Sequence, residues 1–350
     1  MCLSMFKHIL SGSPMSTKSE LLKMLEQNKG TFLRGEELGE KMQVSRTAIW
    51  KAVKSLREEG YHIRAVKNRG YVLEEENDIL SEQAVRLWLK DQDAEVEIWK
   101  EIPSTNQRLK QAAMERRLPA GSMVAAESQN AGRGRRGRSF YSPKESGIYL
   151  SVLLYPKKTA GESLEITAAA AVAVCRAVEK VCGVSLGIKW VNDLYRGGKK
   201  VCGILTEAVT DFETGDIEFA VVGIGLNLWN PPQGFPGQLK DSAGAVFEKK
   251  VPADRNRLVG EIVNELLLEC DKPGVPAEYR TRNIVPGRTI QVAYGNKERQ
   301  VKALEILRDG RLLVENEKGQ EEILPCGDVS VFFEEQEENC GRKSVPEESR

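Results

Sequence analysis

Histidine is nearly absent, and the cysteines show no metal-binding or disulfide spacing. The two histidines, His8 and His62, both lie near the N-terminus. Histidine-dependent catalysis in the large central region is therefore excluded, and with it serine–histidine hydrolases and most catalytic metal sites. The seven cysteines are scattered, with no C-x-x-C pair. Their odd number argues against a disulfide framework, and we expect reduced thiols in a cytoplasmic protein.

The chain also lacks a long apolar run and a net charge. No run approaches the roughly 20 apolar residues that span a bilayer, and we expect neither a signal peptide nor a membrane partner. The 51 basic residues balance the 51 acidic ones, so any DNA binding must be local. With 350 residues, 41% of them hydrophobic, two or three domains are expected.

After a loose leader at 1–18, segment 19–78 has the pattern of a winged helix-turn-helix. Leucines at 21, 22 and 25 mark a first helix, and 36–42 suits a second. Ser45 is a good N-cap for a third helix, on which positions 49, 53 and 56 form an apolar face. Segments 61–66 and 70–73 then form a predicted hairpin. This hairpin is the wing, and 67–69 form its tip.

Positive charge is in excess on the winged helix segment. Between 31 and 73 there are nine Lys or Arg against five Glu, a surplus that suits phosphate contacts. A small interaction domain with a solvated basic face is the alternative. We expect DNA contacts from a helix-turn-helix at about 35–54, through Ser45, Arg46, Thr47, Trp50, Lys51 and Lys54, and from the wing, through Lys67 and Arg69. Arg46, Thr47 and Trp50 are best placed for base edges.

The rest of the chain has two further patterns and a tail. From 79 to 282 helices and strands alternate, which predicts a mixed α/β domain. Predicted strands are 95–99, 123–126, 148–154, 187–190, 201–206 and 219–228, and predicted helices are 104–117, 164–182 and 254–269. From 283 to 333 short strands separated by Gly-containing turns predict a small β-barrel. Residues 334–350 are charged and expected to be disordered.

A Gly/Arg loop, residues 132–138, alternates three glycines with four arginines, and no acid lies between Ser128 and Lys144. Guanidinium groups grip phosphate or carboxylate bidentately, while glycines allow close backbone approach. The loop fits G-x-G-x-x-G and nearly fits a P-loop, but both motifs need a following helix, and a strand-like run follows here. We interpret it as a loop that folds over an anion. A solvated basic loop or a nucleic-acid patch are the alternatives.

Further motifs accompany this loop in a fixed order. They are P-S-T-N at 103–106, E-S-Q-N-A at 127–131, K-W-V-N-D-L at 189–194, K-K-V-C-G-I-L at 199–205 and V-G-I-G-L-N at 222–227. In this order they resemble the bifunctional biotin–protein ligases that are also biotin operon repressors, over about 19–333. The resemblance implies a multidomain α+β protein: a winged helix-turn-helix, a class II synthetase-like ligase domain at 79–282 and an SH3-like barrel at 283–333.

The resemblance also implies a reaction. Biotin and Mg-ATP form biotinyl-5′-AMP, and a lysine of a biotin carboxyl carrier domain then attacks this mixed anhydride. The same adenylate serves as corepressor, which promotes homodimerisation and operator binding.

The same resemblance assigns site residues. Biotin is expected at Ser104, Thr105, Asn106, Gln129, Gly132, Arg133, Gly134, Arg135 and Lys200. ATP or the adenylate is expected at Arg135, Arg136, Arg138, Phe140, Lys189, Asn192 and Asn227. Simple helix capping is the alternative for Ser104. Phe140 stands where the family often has tryptophan, and Val191 where it has proline.

Catalysis is expected from Lys200, Arg135 and Asp193. A fixed ammonium between carboxylate and α-phosphate lowers their repulsion, and no general base is needed. A solvated turn lysine beside Lys199 is the alternative for Lys200. Asp193 is a candidate for Mg²⁺, for orienting the attacking lysine, or for a simple turn. Two rival functions stay open: a regulator built on a ligase domain without activity, and a lipoate–protein ligase.

Overall fold

The computed structural model describes residues 16–294, 297–325 and 328–331. The predicted leader, 1–18, is described only at 16–18, where Ser16 caps a helix that already begins at Thr17, so the leader is shorter than predicted. Residues 1–15 and the tail at 334–350 lie outside the described residues. The chain divides into two compact units. The first runs to Ile284 and includes Leu307–Gly310, and the second comprises 285–306 and the chain from 311.

The predicted winged helix-turn-helix is confirmed in the first unit. Its elements are α1 (Thr17–Gln27), α2 (Gly35–Met42), α3 (Arg46–Glu58), β1 (Ile63–Val66) and β2 (Gly70–Leu73), the last two an antiparallel hairpin. The Ser45 hydroxyl accepts the Ala48 N–H at 3.2 Å, which caps α3 as expected. Leucines of α1 and the apolar face of α3 form one buried core.

A seven-stranded sheet forms the centre of the first unit. Its strands are β3 (Val96–Trp99), β4 (Met123–Ala126), β5 (Gly147–Leu154), β6 (Gly187–Lys189), β7 (Asp193–Arg196), β8 (Lys199–Thr210) and β9 (Ile217–Asn227). The order is β3-β4-β5-β9-β8-β7-β6. Only β3 and β4 pair in parallel, and the other neighbours are antiparallel.

Both faces of this sheet are covered, as the burial of every residue of β5 shows. Helices provide the cover. They are α4 (Glu82–Arg86), α5 (Thr105–Glu115), α6 (Ser163–Cys182), α7 (Leu239–Ser242), α8 (Arg255–Glu269) and α9 (Ala277–Thr281). Helix α5 packs on β4, β5 and β9, while α6 packs on α8 and β8. The long predicted helices and strands are confirmed. Strand β7 and the short helices α4, α7 and α9 were missed, because elements this short carry little periodicity.

The second unit is an antiparallel sheet. Its strands are β10 (Thr289–Tyr294), β11 (Lys297–Ile306), β12 (Leu312–Glu315), β13 (Glu321–Leu324) and β14 (Asp328–Val331), in the order β13-β12-β11-β10-β14. Among the described residues the two outer strands do not pair with each other. The five strands are as predicted as far as residue 331, but the sheet is not closed. The SH3-like barrel is therefore not confirmed.

Two features of the described residues concern the expectations from composition. No helix there is long and apolar enough to cross a bilayer. Cys175, Cys182, Cys202 and Cys270 are free thiols. Burial raises the pKa of Cys182 and of Cys270 to about 11, so both are protonated at neutral pH.

Candidate active site

One face of the sheet changes from apolar side chains to glycines along β9. Phe219 and Val221 pack into the core under α5. Because strand side chains alternate, Gly223 and Gly225 continue that row. Gly225 pairs with Gly203 of β8, so three glycines meet on neighbouring strands. The missing side chains leave a depression in the sheet beside the N-terminus of α5.

This depression is a partly open cavity, and the empty space in it, open solvent included, is about 330 Å³. Its lining combines polar groups at one end with apolar groups and bare backbone at the other. The lining residues are Ser104, Thr105, Asn106, Gln129, Arg133, Phe140, Leu150, Gly203, Leu205, Gly223, Ile224 and Gly225. The five of them that we predicted to bind biotin, from three sequence motifs, are thus brought to one place.

The polar end is built on the first turn of α5. The Ser104 hydroxyl accepts the Gln107 N–H at 3.5 Å, so Ser104 caps the helix and also lines the cavity. Gln129 Oε1 accepts the Thr105 N–H at 2.9 Å and lies 3.1 Å from Thr105 Oγ1. Asn106 lies over Gly223, where a Cβ would stand 2.2 Å from its Oδ1. Glycine is therefore required at 223.

The Gly/Arg loop folds back on itself as a small hairpin beside the cavity. The Gly134 N–H donates to Arg138 O at 2.7 Å, and the Phe140 N–H to Gly132 O at 2.9 Å. A 3₁₀ turn, Arg135–Gly137, forms its tip. No α-helix follows before β5, so the fingerprints that need one are excluded, as predicted. A Cβ on Gly132 would lie 2.5 Å from Phe140 O, so this glycine allows the hairpin to close.

The loop is joined to the sheet through Arg135. Its Nη1 donates to Asn192 Oδ1 at 3.0 Å. The Asn192 Nδ2 in turn donates to Ile204 O on β8 at 2.8 Å. Asn192, which we expected at the nucleotide, thus connects the arginine loop to the strand that carries Lys200.

Phe140 lies in the glycine depression. A Cβ on Gly225 would be 2.4 Å from its ring, and one on Gly203 would be 3.2 Å away. The ring also meets Tyr149 edge-on, with centroids 6.4 Å apart. The two glycines therefore make room for an aromatic ring at the end of the cavity opposite α5.

Lys200 and Asp193 form an ion pair beside this ring, with Nζ 2.7 Å from Oδ1. The register of β7 and β8 shifts, so that Leu194 pairs with Cys202 but Tyr195 pairs with Lys200. This bulge adds one residue to β8 and reverses the alternation of its side chains. Lys200 consequently reaches over Gly203, where a Cβ would lie 3.2 Å from its Nζ. Lys199 is exposed.

The K-W-V-N-D-L segment is anchored by neighbouring elements. The Tyr279 hydroxyl donates to Val191 O, and Trp190 Nε1 donates to Gly310 O, both at 2.8 Å. Lys189 Nζ lies 5.3 Å from the ring centroid of Tyr195. Burial, with a smaller effect of the Asp193 charge, raises the pKa of Tyr195 to about 12. The Tyr195 phenol therefore stays neutral beside this lysine.

Of the seven expected nucleotide residues, Phe140 lines the cavity and the other six are not among its lining residues. Asn227 is buried, and its Nδ2 donates to Gly244 O at 2.9 Å. Arg136 and Arg138 are exposed on the Gly/Arg loop. Their assignments to the nucleotide stay predictions.

The donor set for Mg²⁺ is sparse. No three His, Cys, Asp or Glu side chains converge on a metal position in the described part of the chain. Mg²⁺ is usually held by one or two carboxylates together with substrate phosphates. Asp193, beside Lys200, supplies one such carboxylate. Asp193 therefore fits an ion that arrives with a nucleotide and takes its other ligands from the phosphates.

The outer face of the winged helix carries the residues expected to contact DNA. Arg46, Thr47, Lys51, Lys54, Lys67 and Arg69 are all exposed. Trp50 is 55% exposed, which is unusual for tryptophan, and Lys54 Nζ lies 5.8 Å from its ring centroid. Arg69 stacks on Phe32 with 4.1 Å from its guanidinium carbon to the ring centroid. Basic and aromatic groups thus share one surface.

Sequence reasoning missed several residues of the cavity. Leu205 lines it, and Ser151 and Glu207 bond to its polar residues. The sequence does contain a signal for the role of Gly223 and Gly225. Two glycines at alternate positions of a predicted strand lie on one face, which signals a depression.

Comparison with known proteins identifies the family of this chain. A model of the biotin/lipoate A/B protein ligase family matches residues 99–227, and a helix-turn-helix domain model matches 17–72. The bifunctional ligase/repressor BirA of Bacillus subtilis is 30% identical over 319 residues, which cover 87% of this chain and 96% of the relative. The chain belongs to the BirA family of bifunctional ligase/repressors.

Further comparisons extend this result. The Escherichia coli bifunctional ligase/repressor BirA is 30% identical over 300 residues, or 82% of this chain and 89% of the relative. A biotin protein ligase from Aquifex aeolicus, solved with biotin and ATP, has a TM-score of 0.56 at 24% identity. It covers 69% of this chain and 99% of its own, and it shows that the fold is shared. The cavity, the arginine loop and Lys200 of this BirA-family chain all lie between residues 99 and 227.

Proposed function

We propose that this protein activates biotin with ATP to biotinyl-5′-AMP, transfers biotin to a lysine of a biotin carboxyl carrier domain, and represses transcription as a biotin-responsive regulator. One observation carries the proposal. An acceptor-rich, glycine-floored cavity meets an arginine loop and a lysine–aspartate pair on the same face of the sheet. An apolar acid with a polar ring fits the cavity, and a triphosphate fits the arginines.

The polar end of the cavity favours biotin over lipoate. Thr105, Asn106 and Gln129 present oxygens there, whereas lipoate ends in an apolar dithiolane ring. The ureido ring of biotin offers two N–H donors and one carbonyl acceptor. An apolar ring would displace water from this polar lining without replacing its hydrogen bonds, at a cost of about 1–3 kcal/mol for each group left unpaired. A ligand without N–H groups would therefore bind poorly.

Activation needs charge stabilisation more than proton transfer. A biotin carboxylate oxygen attacks the α-phosphorus of ATP, a new O–P bond forms, and the bond to pyrophosphate breaks. Both reactants are anions, so an ammonium and a guanidinium fixed between them lower the barrier. Lys200 and Arg135 are the residues proposed for this role. Arg135 is held by Asn192, which in turn bonds to Ile204 of β8, so its position is pre-set.

Asp193 is proposed to act beside Lys200. A bound Mg²⁺ would supply positive charge at the leaving pyrophosphate, and Asp193 is the carboxylate that would hold it. In the second reaction the carrier lysine attacks the carbonyl carbon and AMP leaves. The Asp193 carboxylate is also proposed to orient that lysine, whose amine must be neutral to attack and loses one proton as the amide bond forms.

Nucleotide binding is proposed around the Gly/Arg loop. Phe140 offers its ring to the adenine, and Arg136, Arg138, Lys189 and Asn227 complete the expected set. The glycines of the loop leave it free to close over the phosphates.

The repressor function is assigned to the winged helix at 19–78. The ligase domain spans 79–282, and 283–333 form a separate C-terminal domain. We propose that biotinyl-5′-AMP promotes homodimerisation and operator binding. The free thiols of the described cysteines suit the reducing cytoplasm.

Ligation is tested by incubating the protein with biotin, Mg-ATP and a biotin acceptor domain. Mass spectrometry should show covalent biotin on the acceptor. Lys200→Ala should abolish this product, whereas the neighbouring exposed Lys199→Ala should leave it. No product with wild type, but tight biotin binding and operator binding, would support the alternative of a sensor built on a ligase scaffold.

Repression is tested on the third helix. Replacing Lys51 and Lys54 together by alanine should weaken operator binding without changing ligation. If each lysine contacts one phosphate, the slope of log K against log salt should fall by about 0.9 per lysine. A parallel loss of ligation would contradict the proposed separation of the two domains.

A further inference from the structure

The turn between β6 and β7 holds both cations that are proposed to activate biotin. It comprises residues 190–192, between the last residue of β6 and the first residue of β7. Asn192 in this turn accepts a hydrogen bond from Arg135. Asp193, which follows the turn directly, forms the ion pair with Lys200. The positions of the two cations therefore depend on the conformation of this short stretch of chain.

Each residue of the turn is fixed by a partner from another part of the chain. Trp190 Nε1 donates to a backbone carbonyl of a distant segment at 2.8 Å. Asn192 exchanges two hydrogen bonds with the backbone of Ile204, at 2.8 and 2.9 Å. Val191 O accepts the Tyr279 hydroxyl at 2.8 Å. Because the turn lies outside the paired residues of β6 and β7, these contacts determine its conformation.

Tyr279 joins this turn to the neighbourhood of the Gly/Arg loop. It belongs to the short helix α9 and is completely buried. Burial raises the pKa of the Tyr279 phenol above its usual range, and the positive charge of Arg135 opposes this rise. The phenol is therefore protonated at neutral pH and donates to Val191 O. The Arg135 guanidinium lies within electrostatic reach of the same hydroxyl.

The Val191 carbonyl depends on this donor. The hydrogen bond is buried, and a buried carbonyl without a donor is unfavourable. Without the hydroxyl, we expect the peptide between Val191 and Asn192 to turn toward another donor. The Asn192 side chain would move with its backbone, and Arg135 would lose the partner that fixes it. A displacement of about 1 Å in such a positioning contact lowers a reaction rate by about 100-fold.

We propose that Tyr279 is a positioning residue for the formation of biotinyl-5′-AMP. Through Val191 it fixes the turn from which Asn192 holds Arg135. Tyr279 is not among the residues that line the cavity, so its hydroxyl should affect the activation step and not the binding of biotin. This inference rests on the proposed function and adds a residue that acts on it without touching a substrate.

The test separates activation from biotin binding. Biotin-dependent exchange of labelled pyrophosphate into ATP gives kcat for activation, and calorimetric titration without ATP gives the Kd for biotin. Tyr279→Phe keeps the buried ring and removes only the hydroxyl. It should lower kcat by at least about tenfold and change the Kd for biotin by less than about twofold. An unchanged Kd also shows that the variant is folded.

A double-mutant cycle tests whether Tyr279 acts through Asn192. Asn192→Ala alone should lower kcat, because it removes the partner of Arg135. Adding Tyr279→Phe to this variant should lower kcat by less than about twofold further, since the connection is already broken. Two full losses that multiply in the double variant would overturn the proposed route.

Tyr155→Phe is the matched control. The Tyr155 hydroxyl also donates to a backbone carbonyl, that of Leu118, at 2.9 Å, and neither residue lines the cavity. This variant should keep the wild-type kcat. Unchanged kcat in Tyr279→Phe, or equal weakening of activation and biotin binding, would overturn the role of Tyr279 and leave the proposed function standing. Absence of exchange activity in wild type would overturn both.

Discussion

Glu26 offers a quantitative prediction about the stability of the winged helix. Its carboxylate is buried on α1, where Oε1 has no hydrogen-bond partner and Lys29 Nζ is 3.9 Å from Oε2. Burial raises the pKa of Glu26 from 4.5 to about 7. Lys29 opposes this shift, and the Asp254 charge adds to it. The folded protein therefore holds a proton at Glu26 that the unfolded chain releases.

The sign and size of the effect follow from this shift. Between pH 4.5 and about 7 the folded state binds more protons at this site than the unfolded state, so rising pH removes stability. Above pH 7 the ionised carboxylate carries its full penalty. A shift of about 2.5 units corresponds to about 3 kcal/mol, at about 1.4 kcal/mol per unit. Glu26→Gln removes this penalty, because the amide does not ionise.

The measurement is urea unfolding of the full-length protein at pH 5 and pH 8. Glu26→Gln should raise the free energy of unfolding by about 2–3 kcal/mol at pH 8 and by much less at pH 5. Glu40→Gln, which makes the same charge change at an exposed position of α2, should have little effect at either pH. A gain that is equal at both pH values would refute the burial argument.

Two further substitutions test the cavity and its support. Gly223→Ala places a Cβ 2.2 Å from Asn106 Oδ1. It should weaken biotin binding by at least about tenfold in a direct titration, since overpacking costs about 1–3 kcal/mol. Arg255→Met leaves the Glu127 carboxylate, which Arg255 now binds at 2.7 and 3.1 Å, without its buried partner. Denaturant unfolding should show a loss of about 3–5 kcal/mol.

Each of these two substitutions has a matched control substitution in the same protein. Gly161→Ala, where the nearest atom would be 3.8 Å from the new Cβ, should leave biotin binding unchanged. Arg116→Met removes an exposed partner of Glu95 and should hardly change stability, because exposed ion pairs contribute little. If Gly223→Ala binds biotin normally, Asn106 does not need its present position. If Arg255→Met and Arg116→Met lower the free energy of unfolding equally, burial does not explain the contribution of the Arg255–Glu127 pair.

Local sequence determined the winged helix and most long elements of the ligase domain. The spacing of Ile49, Val53 and Leu56 marks the buried face of α3, and Ser45 marks its start, because helix periodicity and capping depend on neighbouring residues. The basic side chains on the opposite face are exposed as expected. The Gly/Arg loop could be interpreted as an anion loop for the same reason, since its chemistry lies within seven adjacent residues.

Tertiary structure alone decided how the cavity is assembled. Ser151 and Thr105 are 46 positions apart, and nothing in the sequence indicates that a serine in an apolar strand lies under a helix start. The bulge between β7 and β8 turns Lys200 toward Asp193, and strand register is a property of the paired strands. The β-barrel prediction stays unconfirmed for a related reason: turn residues predict hairpins, whereas closure depends on pairing between the outer strands of the sheet.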